Sequence, residues 1–284
     1  MSNGIAISIA PGELRLLVAR ANGSIKPIDQ LTAELPEGAV MAGLQSPNLP
    51  DVAVVSDALR ALADESEARG ERRAMVSVLI PDAAVRMTLV PLEGAEPRRN
   101  EGDAMARWAL RDLLPVGDGG ARIDWSVVSQ EAAEPAAKWL LAIGADAAVV
   151  QEYESVVEAL GWTAGRVVPL TLGLAVGAGG ATVNEDPTAA RLVLSGVGDQ
   201  VACLVEADGV PRLHRAWRGA APDLALELPN VQRYVDQRLD LSIVEAVVAG
   251  PEGWRQRAAT ACEALGWEVH VLSSWSAHLG AVRT

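Results

Sequence analysis

Short apolar runs bounded by glycine and proline alternate with stretches whose apolar residues recur at helical spacing. The N-terminal stretch shows the first kind. Ile5 to Ile9 reads as a strand, Ala10-Pro11-Gly12 as a turn, and Glu13 to Ala19 as a second strand; Asn22-Gly23 then predicts another turn and Ser24 to Leu31 a third strand. The stretch from Arg191 to Gly219 is built the same way. Arg191 to Glu206 reads as one apolar strand interrupted by Ser195-Gly196-Val197-Gly198-Asp199, followed by the turn Ala207-Asp208-Gly209 and a return strand, Val210 to Trp217. Glycines inside a good strand signal a bend or a close approach of the backbone to something else, a nucleotide phosphate in a phosphate-binding hairpin. Similar hairpins therefore open each half of the chain, which suggests an internal repeat despite negligible identity.

Between and after the hairpins, both periodicities alternate. Pro36 to Pro50 is a loop. Asp51 to Arg69 carries Val52, Val55, Leu59 and Leu62 at helical spacing. Strands are predicted at Ala74–Ile80 and Val85–Pro91. A helix follows over Asp103–Leu114, with Met105, Trp108, Ala109 and Leu113 on one face, Arg107 and Arg111 on the other, and Pro115 as its stop. Further strands are expected at Ala121–Ser129, Lys138–Gly144, Thr163–Pro169, Val244–Ala249 and Trp267–Leu272. Helices are expected at Ala147–Leu160, Leu170–Ala178, Pro222–Leu239 (one or two), Trp254–Leu265 and Ser274–Val282. This alternation defines an α/β chain. The polar segment Val183–Thr188 is the best candidate for a domain boundary.

Composition narrows the function. The net charge is −13, from 24 Lys and Arg against 37 Asp and Glu. Nucleic-acid binding rests on neutralising phosphates with basic side chains, so that class is disfavoured. Only Lys26 and Lys138 are lysines, and no Gly-Lys pair exists to build a P-loop. Phenylalanine is absent while tryptophan occurs eight times, so Leu, Val and Trp must fill the core. Cys203 and Cys262 sit in apolar surroundings and read as buried thiols of a reducing compartment. His214, His270 and His278 lack metal-ligand spacing, and no metal is expected. The uncharged stretch Val167–Asn184 is long enough to span a membrane, but its proline and glycines favour a short buried helix with a glycine-rich end. No signal peptide is visible, and a soluble intracellular protein is expected.

Three glycine-bearing turns follow apolar strands: Ala10-Pro11-Gly12, Gly196-Val197-Gly198 and Ala249-Gly250-Pro251-Glu252-Gly253. Such turns let backbone N–H groups approach a phosphate or a ring. Their layout resembles the actin-like nucleotide-binding fold, a duplicated ribonuclease H-like arrangement. Over essentially its whole length the chain resembles the type IV pilus assembly protein PilM and its relatives, including the GspL-like proteins of type II secretion. The segment VSVLIPDAAVRMTLVPL, the helix end RWALRDLLP and the strand ARIDWSVV carry this most clearly, and they resemble that family's small inserted subdomain. The resemblance implies a first actin-like domain over 1–188 with an insert at about 74–146, and a second over 189–284 whose last helix packs back on the first.

The resemblance also implies a site and shows where it departs from the pattern. Ser8, Gly12 and Arg15 would form the first nucleotide loop, Gly196 and Gly198 the second, and Gly250 and Gly253 the adenosine loop. Where the family carries an aspartate in a D-I-G-x-S-S-x-K pattern, this chain has Ser8, with Arg15 at the lysine position; in the second hairpin the acidic position is Ser195. The carboxylates that would hold Mg²⁺ are missing at both places. Asp199 and Glu13 lie nearby, but turn and surface carboxylates are the commoner explanation. ATP is left open as a cofactor and no catalytic residue is assigned. Arg107, Trp108, Arg111 and Leu114 would border a groove for the short cytoplasmic tail of a bitopic, PilN-like inner-membrane partner; Trp108 and Leu113 read equally well as helix core. The expected role is a cytoplasmic scaffold that meets the membrane and other platform proteins through this partner. The alternatives are a nucleotide-hydrolysing enzyme (ATPase or small-molecule kinase) and a nucleotide-binding switch without turnover.

Overall fold

A computed structural model of the chain describes residues 3–21, 25–69, 73–116, 120–130, 137–179, 186–217, 223–272 and 278. The chain divides into two units. One gathers Met1–Ala84, Asp146–Ala178 and the C-terminal end that holds His278; the other gathers Val85–Ala145 and Gly179–Ser274. The expected turn at Asn22-Gly23 and the first half of the linker Val183–Thr188 lie outside the described residues. So does the expected last helix, apart from His278.

The first unit is built on five strands in the order β3-β2-β1-β4-β8. β1 (Asn3–Ala10), β2 (Glu13–Ala21) and β3 (Ile25–Glu34) form an antiparallel meander. β4 (Met75–Ile80) and β8 (Thr163–Pro169) add on in parallel. Every residue from Ile5 to Ala10 is buried, which is why β1 reads as a continuous apolar run rather than an alternation. α1 (Val52–Glu65) is capped by Asp51, whose carboxylate accepts from the backbone of Ala53 and Val54, and it buries Val55, Leu59 and Leu62. α3 (Ala147–Glu158) packs beside it. Glu152 on α3 accepts hydrogen bonds from Asn48 N at 2.6 Å, Leu49 N at 2.7 Å and the Ser46 hydroxyl, and so ties the 36–50 loop to the helix. The uncharged stretch from Val167 is divided between the end of β8 and α4 (Leu170–Gly177). No helix among the described residues is long and apolar enough to cross a membrane.

The second unit repeats that topology: its main sheet has the order β11-β10-β9-β12-β13. Arg191–Glu206, expected as one interrupted strand, is two strands, β9 (Ala189–Val197) and β10 (Gln200–Ala207), paired antiparallel with Val197 opposite Gln200. The interruption is a hairpin turn at Gly198-Asp199, made by a left-handed φ of +59° at Gly198. β11 (Val210–Trp217) returns after Asp208-Gly209, and β12 (Ser242–Ala249) and β13 (Glu268–Val271) complete the sheet in parallel with β9. α5 (Leu224–Leu239) is one helix and retains Pro229 inside it. α6 (Glu252–Glu263) begins two residues before the expected Trp254. Leu192, Leu194, Val205, Leu228, Val248 and both thiols, Cys203 and Cys262, share one core.

The remainder of this unit is a three-stranded sheet, β5-β7-β6, covered by one helix. β5 is Arg86–Leu92, β6 Ala121–Gln130, β7 Ala137–Asp146 and α2 Arg99–Leu110. Met75–Ile80, expected to lie in the insert, belongs instead to the first unit's main sheet. The helix is displaced from its expected span of Asp103–Leu114. A capping box starts it earlier, with Arg98 N donating to Glu101 Oε2 at 3.0 Å. Its fully buried residues are Gly102, Ala106 and Leu110; of the expected face, Met105 packs partly buried against that core and Ala109 is half-buried, while Trp108 and Leu113 are exposed. Gly102 sets this phase: a Cβ there would lie 2.2 Å from the Trp125 ring, whose Nε1–H donates to Asp103 Oδ1 at 2.7 Å.

Candidate functional site

In the first unit, Ser8 is buried three residues before the β1–β2 turn and stands opposite Arg15 across the hairpin. Gly12 takes a φ of +81° in that turn, and its carbonyl accepts from Leu35 N at 3.0 Å. Arg15 Nη2 donates to Glu13 Oε2 at 2.8 Å, so the cation at the lysine position is engaged with a carboxylate of its own strand. Thus Ser8, Gly12 and Arg15 are brought together on one hairpin. Sequence reasoning passed over a buried acid at the carboxyl end of the neighbouring strand: Asp82. Its carboxylate accepts from Thr171 N at 3.2 Å and from the Thr171 hydroxyl, which satisfies the first turn of α4. The available signal was an acid directly after an apolar strand, in Ile80-Pro81-Asp82.

The second unit places Ser195 at the equivalent point, buried three residues before the β9–β10 turn. Gly196 and Gly250 come together at the carboxyl ends of β9 and β12. A Cβ on Gly250 would lie 2.7 Å from Gly196 O, and Cβ atoms on Gly196 and Gly250 would lie 2.3 Å and 2.7 Å from the ring of Trp254. The close approach that these glycines signal is therefore to an indole of the same unit. Gly198 makes the hairpin turn and Asp199 is exposed beside it. Gly253 is separate in kind: it is exposed in the first turn of α6, and a Cβ there would meet only Arg257 Nη1, at 3.9 Å.

A buried ion pair crosses β9 and β10. Arg191 Nε donates to Glu206 Oε1 at 2.7 Å, and Arg191 Nη1 donates to Gly179 O at 3.0 Å. Burial pushes the Glu206 carboxyl above its ordinary range; the Arg191 charge pulls it back, and Glu245 raises it further. No sequence spacing pointed to this pair, because cross-strand register alone creates it.

The four residues expected to meet a partner separate on α2 and just beyond it. Trp108 is 62 % exposed, so the helix-core reading fails for it, and Leu113 is exposed as well. The Arg111 guanidinium lies 5.3 Å from the Trp108 ring centroid and its Nε is 3.2 Å from Asp112 Oδ2. Arg107 is exposed on the same helix. Leu114 is instead buried, packed with Leu110, Leu140 and Ala142; it supports this surface from beneath.

The fold and these strand-turn positions define the class: the chain has the actin-like fold, with two units of the same strand order. A PilM–PilN type IV pilus biogenesis complex is similar over 96 % of this chain and 89 % of that one, with a TM-score of 0.74 and 15 % identity. A Bacteroides thetaiotaomicron protein with an actin-like ATPase fold and unknown function is similar over 99 % of this chain and 95 % of that one, at TM-score 0.58 and 9 % identity. The cytoplasmic domain of EpsL, an inner-membrane component of the Vibrio cholerae type II secretion system, is similar over 88 % of this chain and 83 % of that one, at TM-score 0.52 and 14 % identity. No family model and no curated protein matches the sequence.

Proposed function

We propose that this protein is a cytoplasmic scaffold of a type IV pilus or related secretion or competence platform. It docks the short cytoplasmic tail of a bitopic, PilN-like inner-membrane protein and reaches the membrane through that partner. The observation that carries the reading is Trp108, a large aromatic held in solvent on α2 with Arg111 stacked against it. Exposed Trp and Arg are the residue types that anchor protein interfaces. The fold likeness to a pilus biogenesis complex and to a secretion-system domain agrees with it.

The nucleotide pocket of this scaffold is degenerate. Ser8 and Ser195 stand where the resemblance places metal-holding acids, and neither hydroxyl replaces a carboxylate as a Mg²⁺ ligand or supplies charge for phosphoryl transfer. The test pairs two measurements. Calorimetry against the N-terminal cytoplasmic peptide of a membrane protein encoded beside this gene is expected to show binding that Trp108→Ala weakens by about tenfold or more. Titration with ATP and Mg²⁺ is expected to show no turnover. Equal peptide binding by the variant overturns the docking surface; metal-dependent hydrolysis overturns the scaffold reading in favour of an ATPase.

A further inference from the structure

The loop over 36–50 joins β3 to α1 in the first unit, and a carboxylate from α3 latches it. Glu152 accepts from Asn48 N and Leu49 N through Oε2 and from the Ser46 hydroxyl through Oε1. These contacts seat Asn48 and Leu49, both buried, while Gln45, Ser46 and Pro47 stay exposed in irregular chain. The seat is imperfect. Asn48 Nδ2 donates to Gly43 O at 2.8 Å, but its Oδ1 is buried without a donor, a cost that the Glu152 contacts must offset.

Ser46 differs from other hydroxyls of the chain. Ser56, Ser66 and Ser155 donate to carbonyls of their own helix or turn. Thr171 donates to a distant carboxylate, that of Asp82, but it is fully buried. Ser46 is both open to an enzyme and bonded to an acid of another element. Its proton is what makes that contact favourable. A phosphate ester on Oγ removes the donor and sets a dianion against the Glu152 carboxylate. Neither element offsets the added charge: α3 carries Glu152, Glu154 and Glu158, and neither α3 nor the 36–50 loop contains Lys, Arg or His. Arg60 on α1 is engaged with Asp57 and Ala159 O. A phosphate placed beside acids in this way releases a segment instead of ordering it.

We propose that Ser46 is a phosphorylation site whose modification unlatches the 36–50 loop from α3. The phosphoryl donor is a nucleoside triphosphate, held by a separate serine kinase. Ser46 Oγ bonds to the terminal phosphorus, its proton passes to the kinase's base, and the bond to the bridging oxygen breaks as the nucleoside diphosphate leaves. Hydrolysis of the ester restores the hydroxyl and the latch. The proposal stands apart from the tail-docking reading, which rests on α2 of the other unit.

The test has two arms. Phosphopeptide mapping of the full chain purified from its native cells is expected to find the ester at Ser46; an unmodified Ser46 at every growth phase sampled overturns the assignment. Amide hydrogen exchange then compares the unmodified chain with the full chain carrying genetically encoded phosphoserine at 46. The ester is expected to speed exchange at Asn48 and Leu49 by about tenfold or more, with β1 and β4 unchanged. Adding Glu152→Gln to the phosphorylated chain should bring that exchange back toward the unmodified rate, because the amide carries no charge and can donate to the phosphate. Equal exchange with and without the ester overturns the latch, and so does an acceleration that Glu152→Gln fails to relieve. Faster exchange in β1 and β4 as well means general destabilisation and overturns a local switch.

Discussion

Gly196 and Gly253 sit in glycine-bearing stretches that look alike in sequence, yet their surroundings impose opposite constraints. A methyl group at 196 would meet the Trp254 ring at 2.3 Å, whereas at 253 it meets nothing closer than 3.9 Å. Gly196→Ala is therefore expected to destabilise by about 1–3 kcal/mol through overpacking. Gly253→Ala is expected to be neutral or to stabilise by up to about 1 kcal/mol, since it removes a glycine from an exposed helix turn. Urea midpoints of the two variants check the contrast. His278 makes a second prediction at this scale. Burial, and then the charge of Arg15, push its imidazole from 6.5 down to about 3. The folded chain thus binds one proton fewer than the unfolded chain between those values. Stability is fully present above about pH 6.5 and falls as pH drops toward 3, at up to about 1.4 kcal/mol per unit. His278→Gln should flatten that acid limb in denaturant titrations at several pH values; an unchanged slope would assign the loss to other groups.

At the scale of elements, the chain's own spacing located most strands and helices but not their phase or pairing. α2 shows why. Its sequence offers two apolar faces, and the choice between them fell to Gly102, which alone admits the Trp125 ring. The consequence is that Trp108 faces outward. Arg191 and Glu206 show the same limit for strands: they are ordinary charged residues until β9 and β10 pair in register and bury both. Glu206→Leu alone is expected to cost about 3–5 kcal/mol by leaving Arg191 buried without its main counter-charge. The double change Arg191→Met with Glu206→Leu should cost less than that single change, with Gly179 O left as the residual loss. Thermal or urea unfolding of the single and double variants decides it, and equal costs would mean the pair has no such coupling. Asp82 is a comparable case: its sequence reads as the end of a strand, and only the approach of Thr171 makes it the cap of α4.

At the scale of the molecule, two units share one strand order, and each has its own sheet. Trp108 is largely exposed, so Trp108→Ala is expected to change unfolding free energy by no more than about 0.5 kcal/mol while weakening tail binding. A large loss of stability would instead make the residue structural. The apolar runs, the turn glycines and the helix caps by themselves determined an α/β chain with similar hairpins opening each half, because those signals act over a few residues. Ser8 and Ser195 stood out only through the family resemblance, as serines where its pattern carries acids. Tertiary structure decided what the glycines face, which side of α2 is wet, and which charges are buried together. Those outcomes depend on side chains distant in sequence, such as Trp254 over Gly196 and Trp125 over Gly102, and local periodicity carries no information about them.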